Sequence, residues 1–79
     1  MQNHNLIPLC EIPIGSSARV KKLNTKGGTR RRMLDLGIIL NTEVKALQKS
    51  PSGDPTAYQV RGAVIALRDE DASEIMVSV

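Results

Sequence analysis

The sequence predicts a mostly β protein, a small antiparallel barrel of about five short strands with one short α-helix over Thr29–Leu36. Three observations carry this prediction. Short runs of apolar residues recur along the chain, in places alternating with polar ones, and turn clusters such as Ser50-Pro51-Ser52-Gly53-Asp54-Pro55 separate them. Only one segment repeats its apolar residues at helical spacing. In a chain of 79 residues, closing the sheet is the economical way to remove exposed edges. A single domain over residues 1–79 is expected, near the lower limit for folding without staples. Its stability should be only about 4–12 kcal/mol.

Composition narrows the setting. One cysteine, Cys10, excludes an internal disulfide and suits a reducing compartment. No apolar run approaches the ~20 residues of a membrane span. The first residues lack the basic and apolar segments of a secretory signal. The expectation is a small soluble cytoplasmic protein that does not insert directly into a membrane. Tyr58 is the single aromatic among Phe, Tyr and Trp, so the core must be aliphatic.

Met1–Asn5 is polar and expected to fray. Two prolines in Leu6–Pro13 rule out a central strand and favour an extended lead-in with one helical turn near Leu9–Ile12. Ile14–Ser17 reads as a turn. Ala18–Asn24 reads as a strand whose irregular apolar spacing suggests a bulge. Thr25–Gly28 is a flexible connection into the helix. After the helix, Ile38–Leu40 is apolar and Asn41-Thr42 turns the chain. Glu43–Lys49 is the next strand, followed by the turn cluster, Ala57–Arg61, a kink at Gly62, and Ala63–Leu67. Arg68–Ala72 reads as one helical turn capped by Asp69. Ser73–Val79 alternates, with Ile75, Val77 and Val79 on one face.

The helix is the centre of interest. Thr29, Met33 and Leu36 form one stripe, Arg31 and Asp35 lie opposite, Arg32 flanks the stripe and Leu34 sits beside Arg30. Gly28 or Thr29 can cap its start, and Gly37 is expected just past its end at positive φ. Barely two turns cannot stand alone in water, so Met33 and Leu36 should be buried against strands. The charges run against the helix dipole, with Arg30, Arg31 and Arg32 at its positive end and Asp35 near its last turn. The net charge is +3, and these three arginines account for all of it. They are either a solvated face or a surface kept for a partner.

Arg31-Arg32-Met33-Leu34-Asp35-Leu36-Gly37-Ile38, Thr42-Glu43-Val44, Pro51-Ser52-Gly53-Asp54-Pro55, Val60-Arg61-Gly62, Ile65-Ala66-Leu67-Arg68 and Ala72…Ile75-Met76-Val77 together resemble the FeoA family of ferrous iron transport proteins. Leu9-Cys10-Glu11-Ile12-Pro13-Ile14-Gly15 with Ala18-Arg19-Val20 is similar to that family's opening. No single motif is diagnostic; their order and spacing are. One departure is Leu40-Asn41, where the family usually has Pro-Gly, and Asn tolerates the positive φ such a turn needs. The resemblance implies an SH3-like barrel in the bacterial cytoplasm. It also implies a supporting role for FeoB, the membrane transporter of Fe²⁺ with a cytoplasmic GTPase domain. The same module is appended to iron-dependent repressors, but no helix-turn-helix accompanies it here, so the chain resembles the free-standing form. It carries over no catalytic residue and no cofactor.

The residues by themselves favour interaction over chemistry. No Walker-type loop is present, and His4 and Cys10 are solitary. Asp69, Glu70, Asp71 and Glu74 are the only clustered oxygen ligands, with no nearby histidine in sequence, and a cap plus a solvated acidic turn explains them; no metal site is expected. The rival from another class is a small basic nucleic-acid-binding or iron-responsive regulatory module. From Arg19 to Arg32 there are seven basic residues and no acidic ones. Against it stand a modest charge and the lack of rings on which bases could stack, and no nucleic acid partner is expected. The same lack excludes an aromatic groove for proline-rich peptides. Protein–protein docking through Arg30, Arg31, Arg32 and Leu34 remains, although an ordinary core position is the favoured reading of Leu34 by itself, since core-facing helices often use a wide apolar arc.

Overall fold

A computed structural model describes residues 6–79, so the expectations for Met1–Asn5 and His4 lie outside the described residues. The sheet has six strands, all antiparallel, rather than about five. They are β1 (Ile7–Pro8), β2 (Ser17–Leu23), β3 (Glu43–Lys49), β4 (Thr56–Val60), β5 (Ala63–Leu67) and β6 (Ile75–Ser78). Their spatial order is β1-β6-β2-β3-β4-β5. The additional strand is β1, two residues at an edge, where Pro8 is tolerated because its missing N–H costs no central bond.

Period-two burial builds the core. Ala18 and Val20, Val44 and Ala46, Tyr58 and Val60, and Ile75 and Val77 are buried from four successive faces of the curled sheet. The expected bulge in β2 exists: its register against β6 shifts between Val20 and Lys22. Val79 does not join the Ile75–Val77 face; it follows the last strand and is 76% exposed.

Closure is achieved by packing instead of by hydrogen bonds. Among the described residues β1 and β5 are the two ends of the sheet and do not pair with each other. A 3₁₀ turn at Leu9–Glu11, the single turn foreseen there, packs against β6 and against a short helix α2 (Asp69–Ala72). Leu9 and Ala72 from these two turns are fully buried in the core. The expectation that closure removes the edges therefore fails at β5, because one-turn helices can cover a core without supplying a ladder of N–H and C=O groups.

The expected cap of α2 also moves. Asp69 is its first residue, and the carboxylate that serves it comes from the β3–β4 turn: the Asp69 N–H donates to Asp54 Oδ1 at 2.9 Å. A cap supplied by a residue distant in the chain leaves no local sequence signature.

Candidate protein-docking site

The main helix, α1, spans Gly27–Asp35, two residues earlier at its start than the sequence suggests. The Arg30 N–H bonds to the Lys26 carbonyl, so Lys26 is the N-cap and neither Gly28 nor Thr29 caps the helix. No side chain caps this end. Gly27 takes φ +59, a conformation glycine accepts without the Cβ penalty, which is how a Gly-Gly pair that reads as linker becomes a first turn.

The other end is closed by backbone geometry. Gly37 takes φ +95, its N–H bonds to the Leu34 carbonyl, and the Ile38 N–H bonds to the Met33 carbonyl, both at 3.0 Å. These are the two bonds of a Schellman motif, and Met33 and Ile38, which it brings into register, are both fully buried. Leu36, the C-cap, is half-buried, not buried as expected, and packs against the edge of the core.

This anchoring fixes what α1 shows to solvent. Arg30, Arg31 and Arg32 are all exposed. Because the helix starts at Gly27, Arg31 falls mid-helix and Arg32 in the last turn, where the dipole favours a cation, so the expected clash of all three arginines with the dipole is not found. Leu34 lies outside the core at 39% exposure, so the ordinary-core alternative for this residue does not hold. Gly27, Arg30, Arg31, Leu34 and Asp35 line one open depression of about 290 Å³. The structure thus brings Arg30, Arg31 and Leu34 together and leaves Arg32 beside them, outside the lining. Gly27 and Asp35 are the lining residues that sequence reasoning missed; Asp35 was signalled by its i+4 spacing from Arg31.

Two cations of the basic strip hold the turn at Asn41 while remaining exposed. Arg19 Nη1 donates to the Asn41 carbonyl at 2.9 Å and Lys21 Nζ to Asn41 Oδ1 at 3.1 Å. Asn41 takes φ +72, so the turn that departs from the family's Pro-Gly survives and is held by these two cations. Arg30 Nη1 makes only a long 3.4 Å contact with the Leu23 carbonyl.

The other candidate chemistry finds no assembled site. Among the described residues no three His, Cys, Asp or Glu side chains come together as a metal-binding group. Burial pushes the half-buried Cys10 thiol up from its ordinary value, and the negative charge of Asp69 and Glu11 pushes it further, so it is neither a ready nucleophile nor a ready thiolate ligand at neutral pH. Tyr58, the single residue among Phe, Tyr and Trp, is 1% exposed. No helix among the described residues is long and apolar enough to cross a membrane.

The FeoA domain family model matches residues 7–79. The chain belongs to the FeoA family. An NMR structure of the FeoA-like protein of Clostridium acetobutylicum is 36% identical, with a TM-score of 0.86, covering 94% of this chain and 86% of that one. The zinc-complexed crystal structure of Stenotrophomonas maltophilia FeoA, described as a prokaryotic SH3 domain protein, is 32% identical with a TM-score of 0.74. It covers 89% of this chain and 87% of that one. The FeoA fold here is accordingly the SH3-like one that the resemblance implied. A fusion of Fe²⁺ transport protein A with the Fe²⁺ transporter FeoB in Porphyromonas gingivalis is 30% identical over 69 residues. This FeoA chain matches that relative over 87% of its own length but spans only 8% of the fusion's.

Proposed function

We propose that this chain is a cytoplasmic accessory protein of ferrous iron uptake that docks on the cytoplasmic GTPase domain of a FeoB-type membrane transporter and modulates its assembly or activity. The carrying observation is the Porphyromonas gingivalis relative, in which a matching segment is covalently joined to FeoB. Fusion holds two partners at high effective concentration, an arrangement that benefits a pair whose contact is weak when separate. The docking face we assign is α1, where Arg30 and Arg31 flank the exposed Leu34 around one open depression, with Arg32 at its margin. Exposed cations around an apolar anchor suit an acidic surface on a larger protein.

Against the nucleic-acid alternative, Tyr58, the single residue among Phe, Tyr and Trp, is buried and offers no ring on which a base could stack. The deciding experiment is Arg31→Glu. Its fold by circular dichroism should match wild type, and its stability should fall by no more than a few tenths of a kcal/mol, since Arg31 lies mid-helix and the new glutamate stands four residues from Asp35. Binding to the immobilised transporter domain should weaken, and Fe²⁺ uptake in cells should fall. Unchanged binding and uptake would make the arginines a solvated face. Equal loss of binding to DNA fragments would favour the nucleic-acid alternative.

A further inference from the structure

Among the described residues the outer edge of β5 is open, and it is self-complementary. Among the described residues β5 pairs only with β4. The two are joined by a two-residue turn with φ +52 at Arg61 and +85 at Gly62, the type I′ geometry whose flanking residues, here Val60 and Ala63, form a hydrogen-bonded pair. Antiparallel ladders alternate, so Ala63, Ile65 and Leu67 direct their N–H and C=O groups at β4. Val64 and Ala66 direct theirs away from the sheet. Both side chains are exposed, Val64 at 64%. The strand carries no charge, no proline and no register shift, the devices that ordinarily guard an edge. The opposite end of the sheet has one such device in Pro8.

We propose that a second copy of this chain pairs with this edge, β5 antiparallel to β5, as a two-fold dimer. Residues with outward-directed backbone groups must face each other, which restricts the register. Val64 then stands opposite Ala66 of the partner subunit, with Ile65 on the two-fold axis, and all five residues of the strand are matched. Shifting by the next permitted step leaves fewer of them paired. The ends of this register are compatible in charge and shape. Arg68 comes opposite Gly62 of the partner subunit, which has no side chain to obstruct it. Arg61 comes to the acidic turn that begins at Asp69 of the partner subunit. Each contact occurs twice by symmetry, which is why a second copy suits this edge better than an unrelated extended segment. A strand pair this short buries less than the roughly 1,200 Å² of a stable interface, so the dimer forms only at high concentration.

Sedimentation and amide NMR on the full chain, from low micromolar to millimolar, test this. The mass should rise towards a dimer, and the concentration-dependent shifts should centre on the Val64 and Ala66 amides. Val64→Pro removes one outward N–H and no bond to β4, so it should fold as wild type and stay monomeric at millimolar concentration. Should that variant fail to fold, Val64→Lys guards the edge with charge and should give the same monomer. Arg31→Glu should leave the dimer intact, which separates this surface from the α1 docking face. A wild type that is monomeric throughout overturns the proposal. So does a dimer that persists in both Val64 variants, one whose shifts map to α1, or β5 amides that respond only to an added transporter fragment.

Discussion

Tyr58 shows how one residue couples burial to pH. Burial pushes its phenol up from 10.0 to about 12. The folded state therefore holds this proton more tightly than the unfolded chain does. Its contribution to stability is complete below pH 10, declines as the unfolded form ionises first, and is gone above about pH 12. A shift of this size corresponds to about 2–3 kcal/mol. Denaturant melts across that window should show the loss in wild type, and Tyr58→Phe should remove this part of the alkaline decline. An equal decline in both proteins would place the titrating group elsewhere. Gly37 is the complementary case: its φ of +95 is demanded by the helix stop, and the sequence announces it because few other residues take that conformation.

At the scale of the element, α1 is nine residues held by tertiary contacts and by its Schellman end. Met33 is its one fully buried side chain. Met33→Ala should cost ~2–5 kcal/mol, a large share of the domain's stability, and a thermal melt within a few degrees of wild type would contradict that packing. Leu36→Ala should cost less, since the half-buried C-cap has less contact to lose. The helical stripe of Thr29, Met33 and Leu36 was legible in the sequence as a periodicity. Its start was not, because Gly27-Gly28 has low helix propensity and no capping side chain marks Lys26.

For the whole molecule, the distribution of charge matters more than its total. The basic α1 face lies apart in sequence from the acidic turn of α2, and neither assembles ligands for a metal among the described residues. Anaerobic calorimetry with Fe²⁺ should show no tight one-to-one site at Asp69–Glu74. A stoichiometric isotherm there would overturn this and assign the chain a direct role in handling iron. Association with the transporter domain through exposed arginines should slow as salt rises across the physiological range, because encounter between exposed charges is screened within about 8 Å at that ionic strength.

The sequence alone determined five of the six strands, the β2 bulge, the 3₁₀ turn, the helix stop at Gly37 and the family. Each of these depends on local spacing or on backbone conformations that few residues accept. Tertiary structure decided the rest. It placed Leu34 in solvent beside Arg30 and Arg31, because the anchoring of Met33 and Ile38 sets the rotation of α1. It tied the exposed Arg19 and Lys21 to Asn41 through contacts spanning about twenty residues of chain. It gave the cap of α2 to Asp54 and, among the described residues, left the edge of β5 open. These outcomes depend on which distant segments meet, and alternation along a single strand carries no information about its neighbour.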